Sequence, residues 1–144
     1  MNGALFLDTS GWLAVLSPRE AAHERARAAY GEQVLRGGTL VTTALVLAEM
    51  QVLLLRVSGP AAALAFLDAV AADPTHEVVD VDRDLRLAAV ERWLRRFTNQ
   101  DLSLADAVSF EVMRRRRLRR ALALDRHFAI AGFELVPGAC LTAS

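Results

Sequence analysis

The chain of 144 residues reads as a single α/β domain built on a parallel sheet. Three observations lead there. Short apolar runs of strand length alternate with longer segments of helical period along the whole chain. The length is that of one ordinary domain, and 53% of the residues are hydrophobic, enough for a substantial core. No repeat, linker or low-complexity stretch interrupts the alternation.

The elements follow in order. Ala4–Leu7 reads as a short buried strand ending at Asp8. Thr9 or Ser10 is a candidate cap for a brief helix carrying Trp12, Leu13 and Leu16. Ser17-Pro18-Arg19-Glu20 has the form of a helix start, with Pro in the first position and Glu three after Ser, and that helix should run to the Gly37-Gly38 stop. Leu40–Thr42 is a second strand. Ala44 to about Val57 is apolar nearly all round and is expected to form a buried helix. Gly59-Pro60 breaks it, and Ala61–Ala72 follows as a helix of small residues closed by Asp73-Pro74. Glu77–Val81 is a third strand. An amphipathic helix then opens at Asp82 or Arg83, with Leu87, Val90, Leu94 and Phe97 on one face. A helix from Ser103 to about Arg117, a strand Arg120–Leu124, a short helix from Asp125 to Gly132, a fifth strand Phe133–Val136 and a tail from about 137 complete the chain.

Composition excludes several functions. Lys is absent and all 17 basic residues are Arg, which removes Schiff-base chemistry and the lysine-dependent phosphate loop. Net charge is zero, so a nucleic-acid partner can be argued only from a local patch. The single Cys140 cannot form an internal disulfide, which suits a reducing compartment. The apolar run at Ala4–Leu7 is too short for a signal peptide, and Ala44–Leu55 is too short and too interrupted to span a bilayer. A soluble, cytoplasmic protein is expected.

Four acidic residues stand out. Asp8 and Asp125 directly follow apolar strand runs, where ligands gather in parallel sheets, although Asp is also a preferred helix cap. Asp106 lies in Ser103-Leu104-Ala105-Asp106, a capping-box spacing, yet shares a helical face with Phe110 and Met113, which aims it toward the core or a cleft. Glu111 instead sits three and four residues before Arg114 and Arg115 and reads as their solvated partner. Glu49 lies in the middle of the apolar helix, where an ionised carboxylate needs a proton, an arginine or a cation. Four converging carboxylates would repel one another, and a divalent cation relieves that repulsion. Hard oxygen ligands favour Mg²⁺ or Mn²⁺ over Zn²⁺. His23, His76 and His127 are not spaced as a zinc site, and His127, beside a cap, reads as structural.

The motifs Leu7-Asp8-Thr9-Ser10, Thr42-Thr43-Ala44-Leu45-Val46-Leu47-Ala48-Glu49, Asp101-Leu102-Ser103-Leu104-Ala105-Asp106-Ala107-Val108-Ser109-Phe110 and Ala123-Leu124-Asp125-Arg126-His127-Phe128 occur in that order across nearly the whole chain. Together they resemble the PIN domain, and specifically the VapC-type toxins of toxin–antitoxin pairs. The resemblance implies one PIN fold over residues 1–144 with a five-stranded parallel sheet. It implies Mg²⁺- or Mn²⁺-dependent endoribonuclease activity, with Asp8, Glu49, Asp106 and Asp125 as the four acids. Asp8, Asp106 and Asp125 are the preferred direct ligands; Glu49 would bind the metal, directly or through water, or orient the nucleophile. Ser10, with Thr9, matches the small hydroxyl residue that follows the first acid, and Asp101 is either a fifth, outer acid or a loop residue. The implied partners are RNA, a small antitoxin that occludes the acidic cleft, and a second copy in a homodimer.

Six arginines occupy seven positions from Arg114 to Arg120. They are a solvated helix end whose cations suit the helix dipole, or else a phosphate-binding patch centred on Arg114, Arg115, Arg116 and Arg117. Arg92, Arg95 and Arg96 pose the same choice. A PIN nuclease of RNA processing without an antitoxin, and a catalytically silent PIN-like binding module, are the alternative functions.

Overall fold

The computed structural model describes residues 3–138. Cys140 and the rest of the expected tail, 139–144, lie outside the described residues. Five strands form one sheet: β1 (Ala4–Leu7), β2 (Thr39–Thr43), β3 (His76–Val79), β4 (Arg120–Leu122) and β5 (Glu134–Val136). Their order is β3-β2-β1-β4-β5, and every pairing is parallel. Leu5, Phe6 and Leu7 of the central strand are buried, as a strand covered on both faces requires. The chain leaves β1 toward β2 on one side and later returns to β4 on the other. The carboxyl ends of β1 and β4 therefore flank the point where strand order reverses, the usual place for a ligand crevice.

Seven α-helices, α1 (Thr9–Leu16), α2 (His23–Leu35), α3 (Ala44–Ser58), α4 (Pro60–Ala72), α5 (Arg83–Ala89), α6 (Leu104–Arg116) and α7 (His127–Ile130), pack about this sheet. Two aromatic clusters mark the two helical groups. Trp12 of α1 packs against Phe66 of α4 and Tyr30 of α2. Phe6 of β1 meets Phe128 of α7, which in turn meets Phe110 of α6 edge-on at 4.8 Å. Edge-to-face rings of this kind add to what their burial alone contributes.

Several expected boundaries shift, each for a physical reason. The cap of α1 is Asp8, not Thr9 or Ser10, because the Asp8 carboxylate reaches the Ser10 N–H. Residues 17–22 do not open α2: the Ser17 N–H closes α1 on the Leu13 carbonyl, and the chain turns until His23. The third strand ends at Val79 and the fourth at Leu122, each two residues early, while α4 already includes Pro60. In α3 only Val46 and Met50 are buried, and Val52, Leu55 and Val57 are exposed. The helix packs on α4, α1 and β2 and buries only Val46 and Met50, and a window that is apolar on every side cannot show which side will be covered.

The amphipathic helix is α5 continued by a π-helical turn, Val90–Leu94. Leu85, Ala89 and Trp93 point inward, four residues apart, while Leu87 is exposed and Val90, Leu94 and Phe97 are half-buried. The wider turn delivers the Trp93 Nε1–H to Glu111 at 3.1 Å. Glu111 is fully buried, not solvated. It accepts from Arg114 at 2.8 and 3.1 Å and from Arg115 at 2.9 Å, with Arg92 3.4 Å away. Burial opposes its ionisation, but the hydrogen bonds from Arg114, Arg115 and Trp93 override it and lower its pKa to about 2.

Two predictions follow from this packing. A Cβ on Gly11 would lie 1.9 Å from the Leu122 carbonyl oxygen. Gly11→Ala should therefore lift α1 off β4 and cost about 3 kcal/mol in urea unfolding. Because the Glu111 pKa falls from 4.5 to about 2 on folding, its ion pairs stabilise the protein fully above pH 4.5, and this contribution fades as pH drops toward 2. Glu111→Gln should cost about 2–3 kcal/mol at pH 7, with the gap from wild type narrowing at pH 3 in the same unfolding measurement.

Candidate metal centre

Asp8 emerges from β1 and caps α1, so its place is fixed by the central strand and by the first helical turn together. It is 5% exposed. One carboxylate oxygen accepts from the Ser10 hydroxyl at 2.9 Å and from the Ser10 N–H at 3.3 Å. The Ser10 hydroxyl oxygen also accepts the Leu124 N–H at 2.9 Å. Ser10 thus links the ends of β1 and β4 and holds Asp8 between them.

Asp106 stands in the first turn of α6 and forms the capping box the spacing predicts: its N–H donates to Ser103 Oγ at 3.0 Å, and its carboxylate accepts the Ser103 N–H at 3.2 Å. Capping and facing the site are compatible, since one carboxylate oxygen serves the cap. Phe110 and Met113, fully buried on the same helix, anchor it.

Asp125 follows β4. It accepts the His127 N–H at 2.9 Å, and the formal cap of α7 is Arg126. Ligand atoms of Asp106, Asp125 and His127 lie within 4.8 Å of one another. His127, read from sequence as structural, therefore belongs to the cluster; its nearness to Asp125 in sequence was the available signal. Its Nδ1 lies 3.0 Å from Asp125 Oδ1 yet is buried without a hydrogen-bond partner.

The electrostatics tie these groups together. Burial foremost, with help from Asp106, raises the Asp8 pKa to about 6 against the pull of Ser10 and the Thr9 backbone. Burial also raises Asp106, with repulsion from Asp125 adding to it; the bonds to Ser103 and the nearby His127 act the other way. The carboxylates of Asp106 and Asp125 beside a ring nitrogen without a hydrogen-bond partner have the donor chemistry to hold a divalent cation, and a positive charge there would relieve the repulsion that helps to raise Asp8 and Asp106.

Glu49 is placed differently from expectation. It is exposed on α3 and needs no compensation for burial. It joins the site through Thr9, whose hydroxyl donates to it at 2.7 Å, one residue from Asp8. A cavity of about 500 Å³ adjoins it, lined by Thr9, Ala48, Glu49, Val52, Leu53 and Arg56. Arg56, two helical turns beyond Glu49 on the same face, was not singled out from sequence. Asp101 is exposed in the loop before α6 and is not in the cluster.

The arginine run sits elsewhere. Arg114 and Arg115 neutralise Glu111, Arg115 also reaches Asp84 at 3.1 Å, and Arg116 pairs with Glu77. Arg117 ends α6 in the left-handed conformation. These residues occupy the far end of α6, about 12 Å or more along its axis from Asp106, and so do not border the acidic cluster. Arg95 pairs with Glu91 in the same fashion.

The raised pKa of Asp8 has a measurable sign. The folded chain holds this proton up to about pH 6, whereas the unfolded chain loses it near 3.8. Metal-free protein should therefore lose about 2–3 kcal/mol of stability as pH rises from about 4 to 6. Asp8→Asn should abolish that slope and stabilise the metal-free protein at pH 7, as read by urea unfolding in chelator.

Comparison with known proteins agrees with this architecture. A PIN domain family model matches residues 5–134. The chain is 35% identical over 129 residues to the 23S rRNA-specific endonuclease VapC20 of Mycobacterium tuberculosis, in strains H37Rv and CDC 1551, covering 90% of this chain and 95% of that protein. The crystal structure of M. tuberculosis VapC20, described as a Sarcin-Ricin loop cleaving toxin, superposes with a TM-score of 0.80 over the same shares of the two chains. FitAcB from Neisseria gonorrhoeae, 14% identical, shares the fold with a TM-score of 0.66 over 91% of this chain and 95% of its own. No helix among the described residues is long and apolar enough to cross a membrane. The chain belongs to the PIN domain family and is an endoribonuclease of the VapC type.

Proposed function

We propose that this chain is a divalent-metal-dependent toxin that cuts ribosomal RNA, with Asp8, Asp106 and Asp125 holding the metal and Glu49 serving the nucleophile. The observation that carries the proposal is the gathering of Asp106 at the start of α6 with Asp125 after β4, their carboxylates within 4.8 Å, beside the buried Asp8 at the end of β1, whose pKa the charge of Asp106 helps to raise. The ribosomal substrate is inferred from VapC20, whose name gives 23S rRNA as its target.

Mg²⁺ or Mn²⁺, when bound, supplies an acidified water and neutralises charge on the phosphoryl and leaving oxygens. The residues supply the rest. Asp8 is fixed by Ser10, which donates through its hydroxyl and its N–H to one carboxylate oxygen, and by its place as the cap of α1. Asp106 is held by its capping box in the same way. Glu49, oriented by Thr9, is accessible to solvent and suited to align the attacking water and receive its proton as the phosphodiester is opened. Ser10 and Thr9 are positioning residues.

A small antitoxin is the proposed regulator. The trough beside Glu49 supports this, because apolar Val52 and Leu53 lie next to an acid that a basic side chain would neutralise. Homodimer formation belongs to the same proposal; exposed Val57 and Leu64 on neighbouring helices are surfaces a second copy would cover.

Purified protein should cleave 23S rRNA, or a short stem–loop containing the sarcin–ricin sequence, only when Mg²⁺ or Mn²⁺ is added. Asp8→Asn and Asp106→Asn should each lower the single-turnover rate by at least about a hundredfold while far-UV circular dichroism is unchanged. Full metal-dependent cleavage by both variants would remove the carboxylates from the mechanism.

A further inference from the structure

The proposed mechanism uses four acids and leaves His127 without a part. His76 also has a buried Nδ1 without a hydrogen-bond partner, 3.4 Å from the single carboxylate of Asp73, but His127 is grouped with two carboxylates, those of Asp106 and Asp125. The neighbour of His127, Phe128, is fully buried against Phe110 and Phe6, so the start of α7 is held firmly and the ring is placed by the core. The His127 Nδ1 is sealed from solvent and lacks a hydrogen-bond partner. Asp125 Oδ1 is 3.0 Å away, but that oxygen already accepts the backbone N–H of His127 itself, and the ring nitrogen makes no hydrogen bond to it. The same neighbourhood includes a carboxylate oxygen of Asp106.

A neutral ring nitrogen packed beside a carboxylate without a hydrogen bond is repelled by it, and a cation shared by the ring and the carboxylates relieves that repulsion. We infer that His127 is a metal ligand through Nδ1, completing a mixed nitrogen–oxygen set with Asp106 and Asp125, and that it biases the site toward Mn²⁺ over Mg²⁺. The physical reason is ligand chemistry. Mg²⁺ is held by oxygen and gives up water reluctantly, whereas first-row transition ions accept imidazole nitrogen readily. The inference rests on the metal site proposed above and adds the identity of one ligand and its consequence.

The test is metal binding, independent of cleavage. Mn²⁺ and Mg²⁺ are titrated calorimetrically into wild type, His127→Asn and Asp106→Asn, and the Mn²⁺-loaded proteins are examined by pulsed electron paramagnetic resonance. Wild type should bind Mn²⁺ more tightly than Mg²⁺ and show the nitrogen hyperfine coupling of a directly bound imidazole. His127→Asn should lose that coupling and about ten- to a hundredfold in Mn²⁺ affinity, with Mg²⁺ affinity changed far less. Mn²⁺ binding that depends on Asp106 but shows no nitrogen coupling in wild type would overturn the role of His127 and leave the acidic site standing. Failure of wild type to bind either ion would overturn both. The wild-type spectrum decides the matter even where His127→Asn is poorly folded.

Discussion

Ser10 joins two strands that are more than a hundred residues apart in the chain. Its hydroxyl donates to the Asp8 carboxylate after β1 and accepts the backbone N–H of Leu124 after β4. Gly11 beside it lets α1 lie directly on the Leu122 carbonyl, and the Asp8 N–H bonds that same carbonyl at 3.2 Å. This junction closes the sheet at the point where strand order reverses. The site depends on it, because Asp8 and Asp125 belong to the two strand ends it ties together.

The remaining groups are brought to the junction from three directions. Thr42 bonds the Leu7 carbonyl with its hydroxyl and holds β2 level with β1, so that α3, capped by Thr43, starts beside the cleft and presents Glu49 to Thr9. The capping box of α6 delivers Asp106, and the buried Glu111 clamp further along the helix locks α6 to the π-helical turn. The buried Phe128 sets α7 and with it His127. Each acid near the site is held by a hydrogen bond from a neighbouring hydroxyl or backbone group.

Such a site is destabilising by construction. Burial raises the pKa of Asp8 to about 6 and raises that of Asp106 as well, so ionising these groups at neutral pH reduces the stability of the fold, and the proposed cation would offset that cost. The arginines compensate elsewhere: Arg92, Arg114 and Arg115 surround one buried glutamate and stabilise the far end of α6. That division explains how a chain of zero net charge carries a concentrated acidic cleft and, away from it, a dense run of arginine.

The alternation of strands and helices, the parallel sheet, and the order of Asp8, Glu49, Asp106 and Asp125 are legible in the residues without any coordinates. These are local properties: periodicity over a few residues, caps at helix starts, acids at strand ends. Sequence could not assign exposure to Glu49 or burial to Glu111. An apolar window and an arginine-rich window each look the same whether or not another element covers them, and covering is decided by distant segments. Ser17 illustrates the same limit, since its part in closing α1 displaced the expected start of α2. His127 was hidden for the related reason that its ring meets Asp106, a residue on another helix. The tertiary structure alone settled which carboxylates and which imidazole share one space, because it brings the ends of β1 and β4 together with the start of α6.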